Sequence, residues 1–254
     1  MTLGNYFSQK IWIITLTLMV LLFIVFLSNY YIVKKDRKRP WRFIHITKNA
    51  GTAFCIGIQE NSDKKELCCD ENMKFCKDGS HHLKLCNYNK PYNFIAIIRN
   101  PYSRFISAFS HTKYLSKTSR YFSKNECRRH LKFQKYTDVN DFIKHIVMKD
   151  PETLEVFNGH SHFHTQTDFL SESRQPHKIS KKVKVIMQLE NLKSDLSKLK
   201  PYNIDVKLPE DQVKMNKTSY PDVKLNKESI QFIETFYKDD FLNFKRLNIH
   251  YSYS

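Results

Sequence analysis

An uninterrupted apolar run, Phe94-Ile95-Ala96-Ile97-Ile98, leads directly into Arg99-Asn100-Pro101. Such a run suits a strand buried on both faces, and strands of that kind belong to parallel sheets covered by helices. Arg99 then stands at the C-terminal end of the strand, where open α/β sheets bind their ligands. Pro101 suits the first turn of a helix. A helix from Pro101 to about Tyr114 places Arg104, Ser107 and Ala108 one turn apart and lets Ser107 share a phosphate with Arg99.

A second segment, Phe43-Ile44-His45-Ile46-Thr47-Lys48-Asn49-Ala50-Gly51-Thr52, begins about fifty residues earlier. Arg42 to Thr47 reads as a short strand, Thr47 to Thr52 as a turn, and Ala53 to Gln59 as the opening of a helix. A strand, a tight turn and a helix N-terminus form an anion site from free N–H groups and the positive end of the helix dipole. Gly51 permits close backbone approach, and Lys48 adds a mobile charge. The loop lacks the G-x-x-x-x-G-K-[ST] pattern of a Walker A motif. An ordinary strand–helix turn with an exposed lysine is the plain alternative. Two anion sites on neighbouring strand ends call for a ligand with phosphates at both ends, such as a phosphorylated nucleotide.

With both segments in place, the chain resembles the membrane-bound Golgi carbohydrate sulfotransferases, in particular the heparan sulfate 2-O and chondroitin group. Thr47-Lys48-Asn49-Ala50-Gly51-Thr52 is similar to their 5′-phosphosulfate loop, with Thr47 in place of the usual Pro. Arg99-Asn100-Pro101-x-x-Arg104, followed by Ser107, is similar to their 3′-phosphate motif, with Asn100 in place of the usual Asp. Three further segments are collinear with the family: His162-Phe163-His164-Thr165-Gln166, Val185 to Leu192 ending in Glu190-Asn191-Leu192, and Tyr237-Lys238-Asp239-Asp240-Phe241. The resemblance implies an α/β fold with a parallel sheet flanked by helices, P-loop-kinase-like, preceded by one transmembrane helix. It implies transfer of the sulfonyl group of 3′-phosphoadenylyl sulfate (PAPS) to a glycan hydroxyl, with no metal. It assigns the donor to Lys48, Asn49, Ala50, Gly51, Thr52, Ala53, Arg99 and Ser107. Lys48 is expected to stabilise the departing phosphate, and His162, His164 and Gln166 to line the acceptor pocket.

Sulfonyl transfer needs a proton acceptor for the attacking hydroxyl, and histidine is the natural choice near neutral pH. The family carries a histidine between its two phosphate motifs. Asp78-Gly79-Ser80-His81-His82-Leu83 occupies that place, so His81 or His82 is the expected base; two solvated loop histidines are the alternative. His160-x-His162-x-His164 has the alternation of a strand face suited to a metal, but the acceptor-pocket resemblance accounts for it better.

Residues 11–33 form a run of 23 residues without a charge, long enough to span a bilayer. It exceeds a signal-peptide core and lacks a small-x-small cleavage site, so it reads as a signal-anchor. The expected organisation is a tail at 1–10, the anchor at 11–33, a basic stem at 34–41 and one catalytic domain at 42–254. Basic residues follow the run and only Lys10 precedes it, which by charge alone puts the C-terminal side in the cytosol. Six cysteines within 55–127 argue the other way, for an oxidising compartment. With the resemblance, they place the catalytic domain in the Golgi lumen as a type II protein. A zinc reading of those cysteines is weak, because no C-x-x-C pair occurs. The net charge of +17 implies an acidic partner. An anionic glycan fits better than nucleic acid, since the lysines are dispersed and no nucleic-acid motif appears. Amphipathic helices are expected over Val139 to Met148 and Glu228 to Phe244. Asn216-Lys217-Thr218 is the only glycosylation sequon; it also resembles a family segment near the donor and is expected to be unmodified.

Overall fold

The computed structural model describes residues 12, 14–28, 30, 39–61, 67–68, 84–88, 91–114, 131–172, 178–208 and 223–253. They fall into two units, Met1–Pro40 with Pro91–Asn93, and Trp41–Lys90 with Phe94–Ser254. In the first unit, residues 14–28 are helical and expose their apolar side chains. Among the described residues no helix is long and apolar enough to cross a membrane. The anchor expected over 11–33 extends into residues outside the described set, as do the tail and most of the basic stem. His81, His82, Cys69, Cys76, Cys127 and Asn216 also lie outside it.

The second unit is the α/β domain. Its sheet has three strands in the order β1-β2-β3: β1 (Trp41–Ile44), β2 (Asn93–Ile98) and β3 (Val183–Gln188). β2 and β3 are parallel, with Ile95 opposite Val185 and Ile97 opposite Met187. Every residue of β2 is buried, as its unbroken apolar run requires. β1 ends earlier than expected, because the Ile46 N–H bonds back to the Ile44 carbonyl at 3.1 Å and closes a tight turn.

Helix α1 (Gly51–Asn61) follows β1, and α2 (Pro101–Tyr114) follows β2. Next come α3 (Val139–Val147), α4 (Pro151–Asn158), a 3₁₀ turn at Ser161–Phe163 and α5 (Gln166–Leu170). After β3 come α6 (Leu192–Asp195) and a 3₁₀ stretch, Leu196–Tyr202. The C-terminal part holds α7 (Lys227–Phe236) and α8 (Lys238–Arg246). The single helix expected over Glu228 to Phe244 is therefore two, broken at Tyr237. That residue's hydroxyl is drawn inward to the Phe163 carbonyl at 2.9 Å.

Two apolar clusters hold the domain. Phe54 and Ile58 of α1 pack with Ile95, Ile97, Val185 and Met187 from one face of the sheet. Phe105 and Phe109 of α2 meet Phe142, Phe157, Phe163 and Tyr237 in the other, which is strongly aromatic. Each buried Phe contributes roughly 1.5–3 kcal/mol, so this cluster anchors α2 and the 160–170 segment to one another. A disulfide joins Cys55 of α1 to Cys68, with Cα atoms 5.6 Å apart, while Cys86 has no disulfide partner among the described residues.

Candidate functional site

β1 delivers the chain to a loop in which Lys48 and Ala50 both take left-handed backbone conformations, with φ of 65° and 58°. For side-chain-bearing residues this costs on the order of 1–2 kcal/mol each, so the surroundings must impose it. Asn49 is buried, and its Nδ2 donates to the Ile97 carbonyl and to Gln166 Oε1, both at 2.7 Å. Arg104 is also buried; its Nε donates to the Thr47 carbonyl and its guanidinium to Thr47 Oγ1, both at 3.1 Å. The first backbone bond of α1 runs from Phe54 N–H to the Ala50 carbonyl. The N–H groups of Gly51, Thr52 and Ala53 thus have no partner inside the helix. Left-handed residues before a helix N-terminus form a concave anion seat.

Gly51 has a second role that its sequence position did not reveal. A Cβ there would clash with the edge of the His45 ring, 2.8 Å from Cγ. His45 thus lies directly on the start of α1, and any larger residue would force its ring to move.

Arg99 leaves β2 as expected, and its Nε donates to Ser103 Oγ at 3.1 Å. The same guanidinium donates to the Lys48 carbonyl at 3.1 Å, so the two phosphate motifs touch. Ser107, one turn beyond Ser103, is half-buried, and its hydroxyl has no hydrogen-bond partner among the described residues. Arg104, the second arginine of the motif, points inward. Besides Thr47 it donates to the His164 carbonyl at 2.8 Å, and it lies over the Tyr237 ring.

Both departures from the family pattern have a physical account. Thr47 supplies the hydroxyl that Arg104 bonds, which a proline could not. Asn100 Oδ1 accepts from the Tyr102 N–H at 3.0 Å, capping α2 as an aspartate would. Its Nδ2 also donates to the Ser252 carbonyl at 3.2 Å, a bond no aspartate makes. Glu190, of the third resembling segment, accepts from the Asn100 N–H at 2.8 Å and so braces the same junction.

The histidine segment departs most from expectation. It is a 3₁₀ turn rather than a strand: the His160 and His162 rings pack together, while His164 turns to Asp168. Gln166, expected on the acceptor wall, is fully buried. Its Oε1 accepts from the Arg99 N–H at 2.9 Å and from Asn49, and its Nε2 donates to the Arg99 carbonyl at 2.7 Å. With both amide atoms engaged, it ties the two phosphate loops together instead of facing an acceptor. Asp240 caps α5 from within, accepting from the N–H groups of Gln166 and Thr167 at 2.9 and 2.7 Å. Burial raises the Asp240 pKa. The Tyr237–Phe241 segment is thus the support behind the clamp.

His162 packs between the rings of His160 and His111, with centroids 4.3 and 5.3 Å away. His164 is half-buried near Asp168, which also pairs with Lys84. Burial and then Lys84 lower the His164 pKa. His111 went unnoticed in the sequence because it belongs to no motif. Its spacing was the available signal, since positions 104, 107, 108 and 111 share one face of α2.

The electrostatics of the site are dominated by buried positive charge. Burial, and then Arg99, lower the Lys48 pKa from the ordinary 10.5 to about 8. Burial, and then Lys48 and His160, hold His111 at about 3. Among the described residues no group of three or more His, Cys, Asp or Glu is arranged to hold a metal.

Two loops, one carrying Lys48 and the other Arg99, thus meet at neighbouring strand ends of an α/β domain, where folds of this class hold their ligands. The model of the sulfotransferase family matches residues 22–246. The chain belongs to the sulfotransferase family, and sulfotransfer is the activity this membership assigns. Searches of curated proteins and of solved structures returned no match.

Proposed function

We propose that the protein transfers the sulfonyl group of PAPS to a hydroxyl of an anionic glycan. The observation that carries this reading is the contact between the two phosphate motifs, Arg99 to the Lys48 carbonyl with Gln166 bridging both. It supports one ligand spanning the two sites. The 5′-phosphosulfate would take the N–H groups of Gly51, Thr52 and Ala53 together with Lys48. The 3′-phosphate would take Arg99 and the unengaged Ser107 hydroxyl. Asn49 and Ala53 are buried, so their contribution is backbone. As the S–O bond breaks, Lys48 meets the charge left on the phosphate.

The charge of +17 supports an acidic acceptor. The Cys55–Cys68 disulfide supports an oxidising compartment. The remainder of the proposal is a type II Golgi protein held by residues 11–33, with the catalytic domain in the lumen. Tyrosine or another non-glycan acceptor is the alternative within enzymes, and a non-catalytic glycan binder the alternative outside them. Incubating the protein with radiolabelled PAPS and a panel of desulfated glycans separates the three. Label on a glycan supports the proposal; label on protein or on nothing favours the first or second alternative. Protease protection in intact microsomes tests the topology, and digestion without detergent would overturn it.

A further inference from the structure

We infer that Tyr251 and Tyr253, which follow α8, are positioning residues for the 3′-phosphate end of the donor. The inference rests on the reading of Arg99 as that phosphate's partner. Neither tyrosine belongs to a motif, and neither has to touch the nucleotide to act.

The chain is aimed at the Arg99 motif by the way α8 ends. Asn248 takes a left-handed conformation, with φ of 57°. The Ile249 N–H bonds the Phe244 carbonyl at 2.9 Å, and the Asn248 N–H bonds the Lys245 carbonyl at 3.0 Å. This is the pairing of a Schellman cap, in which asparagine can stand in for glycine. It turns the chain back, and the Tyr251 ring packs edge-on against Phe244 with centroids 5.8 Å apart.

Residues 251–253 then each reach a different support of the bend that follows β2. The Tyr251 hydroxyl donates to Glu190 Oε2 at 3.2 Å, and Glu190 Oε1 accepts from the Asn100 N–H at 2.8 Å. The Ser252 carbonyl accepts from Asn100 Nδ2 at 3.2 Å. The Tyr253 ring lies 5.6 Å from that of Tyr102 in the first turn of α2, and its hydroxyl accepts from the Leu225 N–H at 2.6 Å. Burial, and then Glu190, raise the Tyr251 pKa, so its hydroxyl keeps the proton that it donates.

The bend matters because it carries Arg99. Gln166 holds the Arg99 carbonyl from inside the fold. The N–H of the same peptide unit, that of Asn100, is held by Glu190. The Arg99–Asn100 peptide is thus fixed at its oxygen by Gln166 and at its nitrogen by a carboxylate that Tyr251 orients. A guanidinium meets a phosphate in the right geometry only where its backbone is held. Freeing one side of that peptide lets the Arg99 stem swing without removing any group assigned to the donor. The 5′ loop is braced separately, by the bonds of Asn49 and Arg104, so the effect belongs to the 3′ end.

The test uses the full chain in detergent and calorimetry with adenosine 3′,5′-bisphosphate and with 5′-AMP. The variants are Tyr251→Phe, Tyr253→Phe, the double variant Tyr251→Ala/Tyr253→Ala, Glu190→Ala and Glu190→Gln. Asp150→Ala is the control for lost stability alone, since it removes the cap of α4 and no bond to either phosphate segment. The double variant and Glu190→Ala are expected to lower bisphosphate affinity about 3–10-fold, the reach of one hydrogen bond, and to leave 5′-AMP unchanged. Tyr251→Phe keeps the ring on Phe244 and should show a smaller loss of the same kind. Glu190→Gln should recover most of the loss, because its amide oxygen can still accept from Asn100 and its nitrogen can still meet the Tyr251 hydroxyl. Asp150→Ala should melt lower with both affinities unchanged. Unchanged bisphosphate affinity in the double variant overturns the inference. So does an equal fall for 5′-AMP, the same selective fall in Asp150→Ala, or no recovery in Glu190→Gln. If the double variant does not fold, the two Phe variants decide, and unchanged bisphosphate affinity in both overturns it. A wild type that binds both nucleotides equally would instead overturn the 3′-phosphate reading of Arg99.

Discussion

The two segments proposed to hold the donor's phosphates reach similar ends by opposite routes. The Arg99–Ser107 segment organises itself: Pro101 starts the helix, Asn100 caps it, and Ser103 holds the Arg99 side chain. The Thr47–Ala53 loop does not. Lys48 and Ala50 occupy backbone conformations that neither residue favours; Ile97 and Gln166 hold Asn49 between them from 48 and 117 residues away, and Arg104 holds Thr47 from 57 residues away. Local sequence shapes one half of the site, and distant contacts shape the other.

The largest expected effect tests whether the strained half carries the chemistry. Replacing Lys48 with Met should lower kcat by about 10²–10³-fold, as for removal of a group that stabilises developing negative charge. The same variant should show the cost of the buried cation. The folded pKa of Lys48, about 8, lies below the ordinary 10.5. Between those values the unfolded chain binds more protons than the folded one, so stability rises with pH there and the penalty is fully present below pH 8. Without ligand, Lys48→Met should therefore melt above wild type at pH 7, with the gap closing toward pH 10.5. Equal melting curves at both pH values would refute the buried-cation account.

Next in size is the clamp. Gln166→Leu removes the bonds that Gln166 makes to the part-buried Arg99 N–H and carbonyl, at a cost of about 2–4 kcal/mol for the two together. For a domain of this size that is a fall of roughly 4–16 °C in Tm. Because both loops depend on Gln166, affinity for adenosine 3′,5′-bisphosphate should fall more than for any single-loop variant. A loss confined to one phosphate, read by comparing 5′-AMP with the bisphosphate, would show that the loops are independent.

Arg99→Ala probes the self-organised half. It should weaken bisphosphate binding by about 1.5–3 kcal/mol, the range for a hydrogen bond to a charged group. It should leave 5′-AMP nearly unaffected in calorimetry, and equal losses for the two nucleotides would remove Arg99 from the 3′-phosphate. The smallest effect belongs to Asn100→Asp. The cap to Tyr102 survives and only the donor to the Ser252 carbonyl is lost, so stability should drop by about 0.5–1.5 kcal/mol. Hydrogen exchange should rise at residues 249–253, and unchanged protection there would discount the tail contact.

What the sequence determined by itself was whatever depends on neighbouring residues. β2, α2 with its proline start and the amphipathic α3 follow from period, caps and turn residues within a short window. The division between ligand groups and scaffold groups was decided only by tertiary structure. Arg99 and Arg104 belong to one motif, yet one faces the site and the other is sealed beneath Thr47 and His164. Gln166 reads as a pocket residue until Asn49 and Arg99 are seen to consume both its amide atoms. Tyr237 and Asp240 look like ordinary residues of one helix until Phe163 and α5 are found against them. His111 has no motif to announce it, and only folding brings the His162 ring against it. A polar side chain serves a ligand or the scaffold according to which partners reach it first, and those partners come from parts of the chain that no local pattern connects.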